Sequence, residues 1–511
     1  MSNTFMNGLK NFTNYDLTAN GGLAHKSTLD AVYDMFAFGG AYRVRSDNDC
    51  IVLFQKAYLE DSVYAMKCLF YLRDCRGGQG ERRFFRVCFK WLAENYPAVA
   101  RRNLIYCSEY GRWDDMIYTT YQTALWSDCV NIIKEQLTTD INSFKSGDKT
   151  GISLLAKWLP SINTSSSNTK IIANKLCNEL GMTHKQYRKT LATLRERIKV
   201  LERLMSANRW DEIVFDKIPS KAGLIYKNAF ARRDMIAQKY KEFVADKTTK
   251  VNAGTLFPYE VVAKALNLIH KTGGYYRYNL NQIDEVDRMA INKYWENLPD
   301  VLKDASLDAL AVVDTSGSMW GSTADAPINV AISLGLYCAE RARGPFANHY
   351  ISFSSRPQLI ETVGVDFVDK VYRIYETNLC ENTNLEATFD MLLQTAINNK
   401  CKQSDLPKTL IVISDMQIDQ ARGMWGHYHP LAPMKTMMEE MRDKWKRYGY
   451  KLPNIIYWNV NATRDTILDD GPNVTYVSGA SQSIFTQVLT GKTGISLMYE
   501  TLDSERYAPI K

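Results

Sequence analysis

The spacing of hydrophobic residues along the chain changes near residue 305. From about residue 50 to residue 300, apolar positions recur at steps of three and four, and short turns rich in Gly, Pro, Asn or Ser interrupt them. This spacing is typical of successive amphipathic helices. After residue 305, short runs that are apolar throughout, such as LDALAVVD, TLIVISD and NIIYWNV, alternate with helical stretches. Such alternation predicts a mostly parallel, doubly wound sheet covered by helices.

One helix has a clear start and a clear buried face. Thr183 and Gln186 occupy the two positions of a capping box, in which a hydroxyl and an amide satisfy the first free backbone N–H groups. The apolar residues that follow share one side of a helix and predict a single continuous helix with a core stripe: Tyr187, Leu191, Leu194, Ile198, Leu201 and Met205.

Helical hairpins of this kind cannot bury their apolar faces alone, so they stack on one another. The lack of a strict sequence period favours degenerate HEAT-like pairs over regular TPR or ankyrin units. We therefore expect a multidomain protein: an N-terminal all-α HEAT-like solenoid or ring, and a C-terminal α/β, Rossmann-like, doubly wound domain. The expected segments are an extension at 1–49, helical repeats at 50–304, the α/β domain at 305–495 and a tail at 496–511.

Length, apolar runs and cysteines narrow the class of protein. A chain of 511 residues agrees with two or more domains. No apolar run approaches the ~18 to 20 residues that cross a bilayer, and the first residues lack the pattern of a secretory signal. The ten cysteines form no C-x-x-C pair, and none lies beside a histidine at zinc-ligand spacing. We expect no membrane segment, no disulfides and a cytoplasmic location, with association to a virion if the source is viral.

Basic residues are concentrated in the helical part. Residues 305–511 carry 19 Lys and Arg against 23 Asp and Glu, which leaves 44 against 33 for residues 1–304. A basic stripe on the helix that begins after Thr183 and a shorter one near residue 85 supply the candidate RNA-binding residues: Lys185, Arg188, Arg195, Lys199, Arg203, Arg83, Arg86 and Lys90. Such a stripe either contacts a polyanion such as RNA or is an ordinary solvated helix face, and taken alone it favours the solvated face.

The stretch VVDTSGSMWGS carries hydroxyls that neither a strand nor a tight turn requires. Asp314, Ser316 and Ser318 follow the first strand of the α/β part, Asp415 follows TLIVIS, and Thr383 precedes a helix. Ligands of doubly wound sheets bind at the carboxyl ends of the strands, so these oxygens are expected to meet there. Two carboxylates and three hydroxyls suit Mg²⁺, or else Mn²⁺, because both ions prefer oxygen ligands. Alternatively, the serines only cap a strand-to-helix turn.

The same residues carry a resemblance to a known family. D-T-S-G-S-M, then N-T-N, then I-S-D resembles the metal-ion-dependent adhesion site of von Willebrand factor A domains. The resemblance implies that Ser316, Ser318 and Thr383 contact the ion directly, and that Asp314 and Asp415 bind it directly or through water. It also implies a position left open for an acidic group on a partner. The residue after I-S-D is methionine where many relatives have glycine, which puts the shape of that loop in doubt.

The helical half resembles the uncharacterised DUF2828-type family, which is related to the TROVE module of Ro ribonucleoproteins. In that module a ring of HEAT repeats is closed by a von Willebrand A domain. The resemblance implies binding of small structured RNAs on a basic outer surface and of the single-stranded 3′ ends of misfolded RNAs in the hole. Five motifs carry it: LFYLRDCRGGQGER, EYGRWDDM, KWLPS, YRKTLATLRERIKVLERLM and WDEIVFDKIPSKA.

Two of these motifs also have plain structural interpretations. The glycines of RGGQGER do not follow a strand, which disfavours a P-loop or a dinucleotide fingerprint, and favours a helix end followed by a glycine turn and a second helix. The two aspartates of WDD have no third metal ligand nearby in sequence and are interpreted as helix caps.

Three functions are weighed on these observations. The first is a non-catalytic RNA-binding scaffold whose metal site docks an acidic partner, and the alternative is a protein–protein adaptor or structural virion component without RNA. The third is a metal-dependent hydrolase, since two carboxylates beside one ion can activate water. The sequence offers that reaction no clear general base, because His427 and His429 are interpreted as loop or core polar residues. We therefore do not expect an enzyme.

Overall fold

The computed structural model describes residues 6, 13–18, 23–148, 151–273, 278–303, 308–353, 356–377, 384–418, 437–469, 471, 473–488 and 492–511. These residues form two compact units, and each unit joins two separate stretches of the chain. The first unit comprises residues 1–68 and 256–504, and the second comprises residues 69–255 and 505–511. The four segments expected from the sequence were drawn by the type of secondary structure, and their boundaries stay a prediction.

A six-stranded sheet lies at the centre of the first unit. β1 and β2 form a separate antiparallel pair, and the other six strands follow the order β5-β4-β3-β6-β7-β8. All neighbours in the large sheet are parallel except β5, which is antiparallel to β4. The strands are β1 (Tyr15–Leu17), β2 (Leu23–His25), β3 (Ala309–Asp314), β4 (His349–Phe353), β5 (Gln358–Glu361), β6 (Thr409–Ser414), β7 (Asn454–Asn459) and β8 (Val474–Ser478).

Helices pack against this sheet and bury its central strands, which explains why those strands are apolar throughout. The helix Pro327–Arg341 contacts β3, β4 and β6, and the helix Ala31–Phe38 contacts β8. The remaining α-helices of the unit are Asp47–Glu60, Pro258–His270, Glu285–Glu296, Phe367–Thr377, Leu385–Asn398, Met437–Arg447, Ile484–Val488 and Gly494–Leu502. Short 3₁₀ turns occur at Gly39–Val44, Leu280–Gln282, Gln403–Asp405 and, directly after β3, Gly317–Met319.

The order of the strands creates a switch point beside β3. From β3 the chain passes to β4 on one side and later returns to β6 on the other side. In open α/β sheets, ligands bind in the crevice at the carboxyl ends of the strands at such a point. The loops after β3 and β6 meet there.

The second unit is built from helices, and none of its described residues lies in a strand. The helix Arg82–Asn95 shows why they form, since it buries Phe85, Cys88 and Leu92 at helical spacing. The helices are the end of Ser62–Arg73, then Arg82–Asn95, Pro97–Asn103, Cys107–Tyr110, Trp113–Thr120, Trp126–Ser146, Leu155–Trp158, Ser167–Glu179, His184–Arg197, Leu201–Ser206, Ser220–Arg232 and Asp234–Ala245. Shorter 3₁₀ turns are Leu104–Tyr106, Trp210–Glu212, Phe215–Lys217 and Glu505–Tyr507.

Residues 505–511 complete the second unit through buried polar contacts. Asp74 is fully buried and accepts hydrogen bonds from Arg506 Nη2 at 2.6 Å and from the Tyr507 hydroxyl at 3.0 Å. The Tyr507 ring stacks on Tyr110 with centroids 5.7 Å apart. The backbone N–H of Lys511 donates to the side-chain amide of Asn103 at 2.9 Å. This short segment therefore fills a part of the core that residues 69–255 leave incomplete.

The coarse expectation of a helical part and an α/β sheet is confirmed. Whether the helical part forms a HEAT-like solenoid or ring stays a prediction. The strand β5 was not expected, because its side chains are mostly exposed and its sequence lacks the fully apolar run of the central strands. Among the described helices we find none whose length and apolar character would let it span a bilayer. The nine described cysteines are free thiols, and Cys380 lies outside the described residues.

The expectation of one continuous helix from His184 to Met205 is wrong. The capping box of Thr183 is present, but the helix ends at Arg197. Lys199 then adopts the left-handed region, with φ 50°, and the N–H of Val200 donates to the carbonyl of Arg195 at 3.0 Å. This bond closes a Schellman-type helix end, which glycine usually forms. Lys199 therefore leaves the helix surface to which the basic stripe assigned it.

Candidate functional site

The sheet brings the predicted metal ligands to one edge. Asp314 is the last residue of β3, and Asp415 directly follows β6. The two strands are parallel neighbours with Val313 opposite Ile413, so the next residues, Asp314 and Ser414, lie side by side. The expected meeting of these two loops is thus present in the fold.

Hydrogen bonds fix the loop after β3. The backbone N–H of Ser316 donates to Asp314 Oδ1 at 2.9 Å, which holds the chain in a tight turn. The hydroxyls of Ser316 and Ser318 then lie 3.3 Å apart. The hydroxyl of Ser318 also lies close enough to Asp415 of the neighbouring loop to oppose the rise in the pKa of that carboxyl. Four of the five predicted ligands therefore converge, and the fifth, Thr383, lies outside the described residues.

Burial makes the two carboxylates costly to keep charged. Asp314 is fully buried, and Asp415 is 1% exposed. Burial, followed by repulsion from Asp415, raises the pKa of Asp314 to about 7. Burial likewise raises the pKa of Asp415. After burial, the largest electrostatic effect on Asp314 is repulsion from another carboxylate, so this pair favours binding either a proton or a cation.

The donor set fits a small, hard cation. Carboxylate and hydroxyl oxygens are the ligands that Mg²⁺ and Mn²⁺ prefer. Within the described residues, no three His, Cys, Asp or Glu side chains gather in a metal-binding group, so an ion at this edge depends on the serine hydroxyls. Ser316 is buried while Ser318 is exposed, which leaves one side of the cluster open to solvent. An open side is what a site needs if a partner is to reach the ion.

The loop after β6 adopts the shape that glycine would give it. Met416 has φ 61°, in the left-handed region, although it carries a side chain. Its N–H donates to the Ser414 hydroxyl at 3.0 Å, and the next N–H, of Gln417, donates to Asp415 Oδ1 at 3.1 Å. The Met416 side chain is fully buried, so its packing offsets the roughly 1 to 2 kcal/mol that this backbone conformation costs. The methionine therefore does not disturb the loop.

Two residues of this edge were missed by the sequence reasoning. Ser414 donates its hydroxyl to Asp314 and so supports the buried carboxylate. Trp320 is 37% exposed, and its indole N–H donates to the carbonyl of Thr315 at 3.2 Å. The signals were available, since a serine ends the apolar run TLIVIS and a tryptophan follows D-T-S-G-S-M directly. The histidines His427 and His429 lie outside the described residues.

The candidate RNA-binding residues do not form one exposed surface. Lys185, Arg188, Lys199, Arg203 and Arg83 are exposed, and Lys90 is half-buried. Arg195 instead points into the unit, where it donates to the carbonyls of Ala156 and Leu159, each at 2.8 Å, and to Ser161 Oγ at 3.0 Å. Burial lowers its pKa. The assignment of Arg195 to a solvent-facing stripe is therefore wrong, because neighbouring backbone carbonyls occupy its guanidinium.

Arg86 is likewise engaged within the unit. Its Nε lies 2.6 Å from Asp115 and its Nη2 lies 2.8 Å from Asp114. Arg73 binds the other oxygen of the fully buried Asp115 at 2.7 Å. Asp115 also accepts the backbone N–H of Arg112, at the start of the next helix. The WDD and RDCRGG motifs thus meet in a buried ionic network, in agreement with their structural interpretation.

Sequence comparisons place the chain among known proteins. Residues 18–134 and 114–307 match the domain of unknown function DUF2828, and residues 308–506 match the domain of unknown function DUF7788. The chain is also similar to uncharacterized protein L728 of Acanthamoeba polyphaga mimivirus, with 29% identity over 491 residues that cover 89% of this chain and 80% of that protein. Because the first match extends over more than half of the chain, the protein belongs to the DUF2828 family.

Proposed function

We propose that this protein is a non-catalytic RNA-binding scaffold with a divalent-metal site that docks an acidic partner. The observation that carries the metal site is the convergence of Asp314, Ser316, Ser318 and Asp415 at the switch point of the sheet. For the α/β part we propose a von Willebrand A-like fold, and for the helical part a HEAT-like, TROVE-related arrangement as in Ro proteins.

The proposed ion is Mg²⁺, with Mn²⁺ as a second choice. Ser316, Ser318, Asp314 and Asp415 would hold it, together with Thr383 if the resemblance to adhesion sites extends to that loop. The ion would supply positive charge at the open side of the cluster, where it attracts a carboxylate of a partner. The chain itself supplies the support for this role, since Ser414 and the N–H of Ser316 orient Asp314.

RNA binding is supported by charge and by resemblance. Residues 1–304 carry 44 Lys and Arg against 33 Asp and Glu. Attraction of phosphates to such a surface supplies most of the affinity of a protein for RNA and makes that affinity depend on salt. Among the candidate residues, the exposed Lys185, Arg188 and Arg203 are available for it.

A metal titration tests the first half of the proposal. Ser316→Ala combined with Asp415→Ala removes one hydroxyl and one carboxylate, and Asp325→Ala, an exposed acidic residue of the loop after β3, is the control. Starting from chelated buffer, added Mg²⁺ is expected to raise the thermal midpoint of the wild type and of the control. At a hundredfold excess of Mg²⁺ over Kd, the free energy of unfolding should increase by about 2.7 kcal/mol. An equal rise in the double variant would overturn the metal site.

Purification without nuclease at low salt tests the second half. Co-purified RNA that is released by salt is expected, and the Ser316 and Asp415 double variant should retain it. A ratio of absorbance at 260 and 280 nm typical of bare protein would favour the adaptor. The second candidate function is a protein–protein adaptor or structural virion component, and the similarity to a viral protein is the observation that supports it.

A further inference from the structure

A cluster of arginines in the second unit carries more positive charge than its carboxylates neutralise. Arg86 and Arg112 both bind Asp114, the latter through two hydrogen bonds of 2.9 and 2.6 Å. Arg73 and Arg86 share Asp115. Three guanidinium groups therefore surround two carboxylates before any further neighbour is counted.

Arg82 adds a fourth positive charge without adding a carboxylate. It is the first residue of the helix Arg82–Asn95 and lies one turn before Arg86 on the same face. We find no hydrogen bond or ion pair of its side chain to any described residue, and it is exposed. Burial of part of the side chain, with repulsion from Arg112 and Arg86, lowers its pKa. Attraction to Asp114 and Asp115 offsets this only in part, so a further anion would stabilise the cation at this position.

The N-terminus of this helix has an acidic N-cap residue but a basic first turn, and the basic turn runs against the usual preference. Its N-cap residue, Glu81, makes no capping hydrogen bond through its side chain, and the first turn contains no acidic residue. The N-terminus of a helix carries partial positive charge, which acidic side chains or bound anions stabilise. Here Arg82 and Arg83 occupy the first two helical positions instead.

Two aromatic rings hold the neighbouring guanidinium groups in place. The guanidinium carbon of Arg112 lies 4.0 Å from the ring centre of Trp158, and that of Arg86 lies 4.7 Å from the ring centre of Tyr118. A guanidinium has five N–H donors, and the carboxylates of this cluster engage only some of them. The remaining donors are therefore fixed in direction beside Arg82.

We propose that Arg82, Arg86 and Arg112 form a phosphate-binding site, and that its ligand is a backbone phosphate of RNA. This inference rests on the proposed RNA-binding function and assigns it a place on the second unit. Arg82 contributes the unpaired charge, while Arg86 and Arg112, held by Asp114 and the aromatic rings, contribute oriented donors. A free phosphate-bearing molecule presents the same group, so the experiment has an arm for each source.

The test compares full-length wild type with Arg82→Gln, Arg82→Lys and the control Arg102→Gln, which removes an exposed arginine of the same unit outside the cluster. In the first arm, a fluorescent oligouridylate is titrated at several salt concentrations. Arg82→Gln is expected to weaken binding about tenfold and to reduce the salt slope by about 0.7, the value for one phosphate of a single strand. Arg82→Lys is expected to retain most of the affinity, and Arg102→Gln all of it.

In the second arm, inorganic phosphate replaces chloride at equal ionic strength in thermal unfolding. Stabilisation of the wild type and of Arg102→Gln, but not of Arg82→Gln, supports the site independently of RNA. If phosphate stabilises through Arg82 while the oligonucleotide does not bind, the site stands, its ligand is a free phosphate and the RNA function falls. If RNA binds with the same affinity and salt slope in Arg82→Gln and Arg102→Gln, the site is overturned while the RNA function stands. If neither ligand binds the wild type, both proposals fail.

Discussion

Replacing Asp314 with asparagine is expected to stabilise the metal-free protein at high pH. The folded protein holds a proton on this carboxyl up to a pKa of about 7, whereas the ordinary value is 3.8. The folded state therefore binds more protons than the unfolded state between these two values. The wild type must lose stability as the pH rises through this window, because the carboxyl loses its proton while still buried beside Asp415.

The size of the effect follows from the same values. The pKa of Asp314 in the folded protein exceeds its ordinary value by about three. At about 1.36 kcal/mol per pKa unit, the wild type can lose at most ~4 kcal/mol of stability as the pH rises. Asparagine keeps an acceptor for the N–H of Ser316 and a donor toward Ser414, although each hydrogen bond is weaker than one to a carboxylate. We therefore expect a net gain of about 2 kcal/mol at pH 8 and almost none at pH 4.

Urea unfolding followed by tryptophan fluorescence, in chelating buffer from about pH 4 to pH 8, measures this difference. Asp325→Asn, on the exposed loop after β3, is the matched control and is expected to follow the wild type at every pH. Adding Mg²⁺ at pH 8 should shrink the advantage of Asp314→Asn, since the ion takes the place of the proton in the wild type. The reasoning would be refuted if the difference in free energy of unfolding between Asp314→Asn and the wild type did not change with pH. It would also be refuted if the wild type were more stable than Asp314→Asn at pH 8.

Three further outcomes follow from the contacts. Asp74→Ala is expected to destabilise the second unit by about 3 kcal/mol, because it leaves the buried Tyr507 hydroxyl without its acceptor and the partly exposed Arg506 guanidinium without its ion pair. Loss of the exposed ion pair with Asp128 in Arg101→Ala should cost at most about 1 kcal/mol in the same urea titration. Combined Lys185→Gln and Arg188→Gln should weaken oligonucleotide binding and flatten its salt dependence without changing the thermal midpoint; unchanged affinity would make this face plain surface. Arg195→Gln should instead lower the midpoint, because three acceptors lose their donors, and a neutral result would contradict its role inside the unit.

The sequence predicts which residues meet at the edge of the sheet better than it predicts which charged residues of a helix face solvent. A strand that is buried on both faces must be apolar, so β3 and β6 stand out, and the parallel order then forces Asp314 and Asp415 together. The position of a charged residue around a helix does not by itself determine whether its side chain faces solvent or the interior. Arg195 satisfies the same period as Arg188, yet one faces backbone carbonyls and the other faces solvent.

Other features depend on contacts that no local pattern records. Lys199 ends a helix in a conformation that normally indicates glycine, so the sequence gives no stop signal there. β5 is short and exposed, and only its pairing with β4 makes it a strand. The position of Thr383 lies outside the described residues, so its part in the metal site stays a prediction.

The arrangement in which residues 505–511 finish the second unit bears on how the protein is made. During synthesis, the helices of residues 69–255 leave the ribosome long before Arg506 and Tyr507 do. Until then, the Asp74 carboxylate has the backbone N–H of Arg76 but lacks the guanidinium of Arg506 and the hydroxyl of Tyr507, and the ring of Tyr110 lacks its stacked neighbour. The second unit therefore stays incompletely packed until the strands of the sheet have been translated. We expect chaperones to bind it mainly during that interval.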